Sequence, residues 1–391
     1  MRLAIVHDFF CNLGGSDVCV RHFHELWPNA PIYTIVVYDR NRRHPLLQGM
    51  DLRTSFVQRL PFAGRMHQPY LPLFPLAVES FDLRGYDVVL SSSHSCAKGV
   101  ITRPDTLHIC YCHTPMRYAW DLREKYVGRS GELRNPLGVL LARLIMHYLR
   151  LWDTATADRV DRFIANSQNV AARIAKYYRR QAVVIHPPVD TGYFTPAPEG
   201  TPPGDYYLYV GRLVPYKRVD LAVRACNELR LPLKVVGTGS ELRRLRALAG
   251  PTVQILGEQP RERVRELLRH CRAFLFPGEE DFGIAPVEAQ ACGRPVIAYR
   301  AGGALETVVE GKTGLLFDAQ RVESLIEALR AFEQGGGGTQ FSPQAIRAHA
   351  LQFDQAHFRS RIRRYVEEEY ARFRAQSPWG CTTVHPLDLM G

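Results

Sequence analysis

Glu280 and Glu288 stand eight positions apart in the string 277–296, PGEEDFGIAPVEAQACGRPV. Apolar strand patterns at 273–276 and 295–298 flank it. Between them a short helix is expected, with Pro286 in its first turn, where a missing N–H costs nothing. The loop 280–285 then lies against a helix N-terminus, whose free N–H groups and positive dipole end suit a phosphate. Glu288, expected in that first turn, cannot ligate an anion itself. It can accept hydrogen bonds from a sugar diol. Paired glutamates at this spacing also occur on ordinary solvated helices. The strand–loop–helix context is what favours a binding site.

Two cations bracket a second loop. Gly211-Arg212-Leu213-Val214-Pro215-Tyr216-Lys217 follows the strand pattern 206–210. Arg212 and Lys217 converging at a strand end would neutralise a diphosphate, with charge-assisted bonds of about 1.5–3 kcal/mol each. The alternative is a pair of solvated basic residues. His113 comes just after the apolar strand 107–111, at the carboxyl end where open α/β sheets hold ligands. A lone histidine is more often structural. Its place at a strand end, and the following Thr114-Pro115-Met116-Arg117-Tyr118, favour function. Gly14-Gly15 closes the loop after strand 2–7, and a helix begins near Ser16, a good N-cap. Such a strand–turn–helix lets backbone approach a ligand closely.

The elements that must position these residues alternate between strands and helices over a chain long enough for two or three domains. Its 391 residues are 46% hydrophobic and 23% charged, so the core is ample. Strand 87–91 leads into a polar turn Ser92-Ser93-His94 and a short helix carrying Lys98. Strands at 162–165 and 182–185 complete a first domain, 1–187. A Pro- and Gly-rich linker, 188–205, precedes a second domain, 206–355. A charged helix, 356–376, and a tail, 377–391, follow. In 53–85, four prolines (61, 69, 72, 75) forbid a continuous helix until about Leu76. That run is either an interface or a packed surface loop. Helix 137–152, LGVLLARLIMHYLRLW, has Arg143, His147 and Arg150 on a polar strip. It is either a core helix or one lying on a membrane, with core packing the favoured expectation.

Net charge is +11 and the isoelectric point near 9.3, which argues for an anionic partner without choosing among nucleic acid, an acidic membrane face and a diphosphate. The nine cysteines are scattered, with no Cys-x-x-Cys pair, as expected for buried thiols in a reducing cytoplasm. The opening MRLAIVHDFF reads as a core strand rather than a signal peptide, and no run is long and apolar enough to span a membrane.

The string around Glu280 and Glu288 resembles the E-x7-E signature of family-4 glycosyltransferases of the GT-B fold. The resemblance covers nearly the whole chain and is strongest in 206–317 and 108–121. It implies an α/β architecture of two Rossmann-like parallel-sheet domains facing across a cleft, the last helix crossing back to the first domain. By the same resemblance, Glu280 contacts the donor sugar and Glu288 the nucleotide ribose. The amides of Phe282, Gly283, Ile284 and Ala285 face sugar and phosphate, and Arg212 and Lys217 clamp the diphosphate. Gly257 and Glu258, closing the strand pattern 253–256, meet the base. Gly14 and Gly15 face phosphates and acceptor, and His113 hydrogen-bonds the donor sugar. Family members often carry Glu two residues after the second glycine; here Asp17 stands there, and no role is assigned to it.

Retention of anomeric configuration is implied, by a front-face route in which the leaving diphosphate helps deprotonate the acceptor. No residue resembles a covalent nucleophile, and the Asp-x-Asp metal motif is absent, so no cofactor and no obligatory metal are expected. The runs HICYCHTPMRYAWDL and EEDFGIAPVEA look most like bacterial mannosyl- and rhamnosyltransferases of O-antigen or exopolysaccharide assembly. That implies a GDP-mannose-like donor and a polyprenyl-diphosphate-linked or other glycan acceptor, with no nucleic acid partner. A cytoplasmic location, at the anionic inner face of the plasma membrane, fits the same reading. A different GT-B activity, such as an epimerase, and a non-catalytic GT-B scaffold are the alternatives.

Overall fold

The run LAIVHDFF is apolar enough to be covered on both faces, and it forms the central strand β1 (Leu3–Phe10). The computed structural model describes residues 1–120, 135–198, 200–201 and 204–376. The tail 377–391 and Asp121 and Leu122 of the expected site run lie outside the described residues. The chain divides into two compact units, Met1–Ile185 with the chain from Arg359, and His186–Phe358.

In the first unit, the described strands are β1, β2 (Ile32–Val37), β3 (Leu52–Thr54), β4 (Val88–Ser93), β5 (Leu107–Cys112), β6 (Arg162–Ala165) and β7 (Ala182–Val184). They form one parallel sheet in the order β3-β2-β1-β4-β5-β6-β7. The second unit carries β8 (Tyr207–Val210), β9 (Leu233–Val236), β10 (Val253–Gly257), β11 (Phe274–Phe276), β12 (Val296–Tyr299) and β13 (Gly314–Phe317). Their order is β10-β9-β8-β11-β12-β13, again parallel. Both sheets are Rossmann-like. Each reverses direction beside its first strand, at β1/β4 and at β8/β11, and such a reversal opens a crevice at the carboxyl ends.

Three local expectations are corrected. Ser92 and Ser93 lie in β4, not in a turn, and their hydroxyls find buried partners just outside the sheet: Ser92 Oγ meets His113, and Ser93 Oγ accepts from Lys98 N. Lys98 sits on a single 3-10 turn, Ala97–Gly99, and is buried. The helix ending the proline-rich run starts at Phe74 rather than Leu76, since Pro75 is tolerated in its first turn.

A fourth correction concerns the helix Pro136–Ala155. It was expected to pack into the core, yet Leu137, Leu140, Leu141, Leu144, Tyr148 and Leu151 form an exposed apolar stripe, Leu137 at 72%. Arg143 and His147 flank that stripe, also exposed. Among the helix's described side chains, only Leu149 and Asp153 are fully buried, with Ile145, Met146 and Trp152 packing partly against the core. Among the described residues, no helix is long and apolar enough to cross a membrane.

The C-terminal helix Gln355–Gln376 is bound to the first unit by polar contacts. Arg359 donates to His22 Nδ1 (3.2 Å), Arg361 to the Val184 carbonyl (2.7 Å), and Arg162 pairs with Glu369 (2.6 Å).

The exposed helix is anchored at its far end by buried charge. Lys98 Nζ donates to the Asp153 carbonyl (2.5 Å) and to Thr156 Oγ1 (2.8 Å), and lies 3.1 Å from Asp153 Oδ1. Trp120 Nε1 and the Tyr178 hydroxyl donate to the same carboxylate, at 2.8 Å and 3.0 Å. Asp153→Ala leaves the Lys98 ammonium buried without its counter-charge, and the expected loss of stability is about 3–5 kcal/mol. The double variant Lys98→Met with Asp153→Leu should recover most of it. Urea unfolding of the three proteins checks this, and equal stability of Asp153→Ala and wild type would refute it.

Candidate active site

In the second unit, the loops after β8 and β11 bring Lys217 and Glu280 together. Lys217 Nζ forms an ion pair with Glu280 Oε1, both side chains being largely covered. Arg212 does not join them. It is exposed, and its guanidinium donates to the Tyr216 hydroxyl at 3.0 Å. One of the two expected cations is thus held against the first glutamate, and the other is turned to Tyr216.

Backbone packing fixes the two loops. Gly237 adopts φ +136°, and a Cβ there would stand 1.9 Å from the Gly211 carbonyl oxygen. The turn after β9 thus presses directly on the loop carrying Arg212, and Leu213 N donates to the Thr238 carbonyl at 2.8 Å. On the other side, Gly303 N donates to the Glu280 carbonyl (2.8 Å), and a Cβ at Gly303 would lie 2.2 Å from the Phe282 carbonyl oxygen. Any larger residue at 303 would push the 280–282 segment aside. Gln320 holds the start of the same loop through the Pro277 carbonyl (3.0 Å).

The helix after this loop runs Ile284–Ala291, with Gly283 as N-cap and Pro286 in its first turn. Glu288 stands in the second turn, not the first. The Phe282 ring is buried, stacked on His186 (5.4 Å) and edge-on to Phe353 (5.4 Å), so only its backbone is available to a ligand. Ile284 and Ala285 pack partly against the same core, leaving their backbone at the helix start. Gly257 ends β10 and accepts from Gly237 N (2.8 Å), and Glu258 beside it is exposed. Burial pushes the Glu288 carboxyl up to about 7, with Asp190 adding to the rise and Arg261 opposing it.

In the first unit, His113 follows β5 as expected. Its ring is almost fully buried; Nε2 lies 2.8 Å from Ser92 Oγ, and its carbonyl accepts from Asn166 Nδ2 at 2.9 Å. Burial, then the neighbouring His94 and His7, hold its pKa well below the usual histidine value, so the ring is neutral near pH 7. The helix Gly15–Leu26 has Gly14 and not Ser16 as N-cap, two residues earlier than expected. Asp17 causes the difference: its Oδ2 accepts from Gly14 N at 2.8 Å, supplying the cap from three residues downstream.

Asp8 was missed as a positioning residue. It is fully buried and accepts four backbone N–H groups, from His94 (2.6 Å), Ser95 (2.9 Å), Cys96 (2.6 Å) and Ala97 (2.7 Å). The signal was present as a carboxylate inside an apolar strand, which persists only when its oxygens are satisfied. That carboxylate pins the loop after β4 beside the end of β1.

Known proteins are similar to this chain on both sides of residue 195. Residues 13–193 match the family described as Glycosyltransferase Family 4, and residues 197–345 match Glycosyl transferases group 1. A D-inositol 3-phosphate glycosyltransferase of Mycobacteroides abscessus is 32% identical over 197 residues, 44% of each chain. One from Gordonia bronchialis is 29% identical over 266 residues, covering 60% of this chain and 58% of its own. The chain spans about half the length of the curated relatives it matches. Among solved structures, Anabaena Alr3699/HepE in complex with UDP superposes with TM-score 0.69 at 17% identity, over 94% of this chain and all of that one. The sucrose-phosphate synthase of Thermosynechococcus elongatus gives 0.72 at 18%, over 95% of this chain and all of that one. The fold is GT-B.

The raised Glu288 carboxyl has a stability consequence. The native protein keeps that proton up to about pH 7, whereas an ordinary glutamate releases it near 4.5. The folded state thus binds the extra proton in this window, and stability falls as pH rises through it, by up to about 3 kcal/mol. Glu288→Gln removes the term. Its stability relative to wild type should therefore be more favourable at pH 8 than at pH 5 in urea unfolding. An equal difference at both pH values would overturn the assignment.

Proposed function

We propose that this chain, built from a family 4 glycosyltransferase domain followed by a group 1 glycosyl transferase domain, is a retaining hexosyltransferase. It moves mannose or a deoxyhexose from a nucleoside-diphosphate sugar to a lipid-linked or saccharide acceptor in surface polysaccharide synthesis. The observation that supports it best is the meeting of Lys217 and Glu280 beside the Gly283 helix start, at the carboxyl ends of β8 and β11. A cation, a carboxylate and free helix N–H groups at one sheet reversal suit a sugar diphosphate, whose charge and hydroxyls need opposite partners.

In this reading the donor's diphosphate takes Lys217 and the exposed Arg212. Glu280 is released to the sugar hydroxyls, Glu288 accepts from the ribose diol, and Gly257 and Glu258 border the base. The neutral His113 is a hydrogen-bond partner for the sugar. The bond between the sugar C1 and the diphosphate oxygen breaks, and a bond from C1 to the acceptor oxygen forms on the same face. The acceptor's proton passes to the leaving diphosphate, which needs no metal or other cofactor. Lys217 and Arg212 stabilise the charge that builds on that group.

The resemblance to mannosyl- and rhamnosyltransferases favours a GDP-linked donor. The neighbour from Anabaena was crystallised with UDP, which makes UDP-glucose the competing probe. Stabilisation by GDP-mannose beyond that by UDP-glucose is expected, about 2.7 kcal/mol at a hundred times Kd. A shift with UDP-glucose alone would move the donor assignment. Turnover of Lys217→Ala should fall at least about a hundredfold, or ~2.7 kcal/mol. Glu280→Ala and His113→Ala should abolish transfer while GDP binding, read by calorimetry, stays intact. Glu288→Ala should weaken binding more than turnover. Loss of GDP affinity in Glu280→Ala and His113→Ala with none in Glu288→Ala would reverse the placing of sugar and nucleoside.

The exposed stripe on helix Pro136–Ala155 supports peripheral attachment to an anionic cytoplasmic leaflet. Six apolar side chains line one face, and Arg143 and His147 flank them, as in helices that lie in an interface. The protein should float with anionic liposomes at low salt and less at high salt. Leu141→Glu with Leu144→Glu should abolish flotation without lowering donor binding. Unchanged flotation of that double variant would remove the helix from the membrane contact.

A further inference from the structure

Four side chains from distant parts of the first unit form one line. Register places His7 of β1 beside Ser92 of β4, and Ser92 beside Tyr111 of β5, two residues before His113. His7 Nδ1 lies 3.2 Å from the Ser92 carbonyl oxygen and 3.1 Å from Ser92 Oγ. Ser92 Oγ lies 2.8 Å from His113 Nε2. At the other end, His7 Nε2 faces Asp17 Oδ1 at 3.4 Å, and the second oxygen of Asp17 accepts from Gly14 N. All four side chains are buried.

The proton positions follow from what each atom is able to do. A backbone carbonyl only accepts, so His7 Nδ1 carries the hydrogen and shares it between the Ser92 carbonyl and hydroxyl oxygens. Ser92 Oγ, accepting from His7, has one hydrogen of its own. Among the described residues, its remaining partner is His113 Nε2, which therefore accepts. If His113 Nε2 donated instead, the buried serine hydrogen would have no acceptor, at a cost of about 1–3 kcal/mol. The ring of His113 is neutral, so its proton sits on Nδ1, which makes no hydrogen bond among the described residues.

We infer that Ser92 and His7 are positioning residues that fix His113 as the Nδ1–H tautomer. His113 then offers a donor N–H, suited to a sugar hydroxyl or ring oxygen acting as acceptor. The inference rests on the reading of His113 as a partner of the transferred sugar, and its structural part is testable without turnover.

The experiment is nitrogen-edited NMR of the protein labelled only at histidine, with His113→Gln identifying the His113 signals. In wild type, His113 Nε2 should show the shift of a bare nitrogen and Nδ1 that of an N–H. In Ser92→Ala the ring should redistribute toward Nε2–H, and Ser92→Thr, which keeps the hydroxyl, should restore the wild-type pattern. A protonated Nε2 in wild type overturns the inference, and so does an unchanged tautomer in Ser92→Ala. Kinetics separate the two layers. Ser92→Ala should lower kcat about tenfold with nucleotide affinity unchanged, and Ser92→Thr should regain most of it. A shifted tautomer with unchanged kcat would refute the catalytic consequence and the sugar contact of His113 together, while the donor-binding reading of the second unit would stand.

Discussion

A parallel sheet covered on both faces leaves ligands one place to bind, and both candidate sites obey that constraint. The inner strands of each unit are buried, and most of their apolar side chains are consumed by the core. What remains is the row of loops at the carboxyl ends, widest where the strand order reverses. Gly14 and Gly15 follow β1, and His113 follows β5. Arg212 and Lys217 follow β8, and Glu280 follows β11. The chemistry-bearing residues are scattered over the sequence but not over the topology.

Loops placed by this rule still need to be held, and the two units hold them by different means. In the first unit the anchor is charge: the Asp8 carboxylate gathers four backbone N–H groups and is satisfied completely by them. In the second unit the anchor is the absence of a side chain. Gly237 and Gly303 let one loop's backbone touch another's at distances no Cβ would allow. A buried carboxylate is stable only with every hydrogen bond made, so the first arrangement is all-or-none. The second tolerates polar changes nearby but no added bulk.

This difference explains how much was legible in the sequence. The sheet pattern, the strand–loop–helix around Glu280 and the basic loop after β8 depend on neighbours close in sequence, and periodicity and turn residues reveal them. The roles of Ser92 and His7 depend on strand register that joins residues 85 and 21 positions apart, which no local pattern encodes. A serine pair before a histidine resembles a turn until its hydroxyls are seen to have partners. The helix Pro136–Ala155 failed for another reason. A stripe of leucines is compatible with a core or a lipid surface alike, and only the tertiary structure shows which side of it is covered. The N-cap was misplaced by two residues because Asp17 caps from inside the helix, a reciprocal arrangement that a search for a capping residue at the boundary overlooks.

The electrostatics of the two units are opposite in kind. Around His113, hydrogen bonds hold a neutral ring in one orientation, with burial suppressing its charge. Around Lys217, full charges are present and paired. For the proposed transfer that contrast is useful. A partly covered lysine without a counter-charge would have lost part of its hydration for nothing, and so would an unpaired Glu280. Paired, each gives the other a partner in place of the water it has lost. In the proposed transfer, an arriving sugar diphosphate would exchange partners rather than create charge: its phosphate oxygens would replace Glu280 at Lys217, and its hydroxyls would replace Lys217 at Glu280. Much of the desolvation has already been met in folding. The cation then stands in place before the leaving group acquires its extra charge, which is the condition for electrostatic stabilisation to act on the transition state.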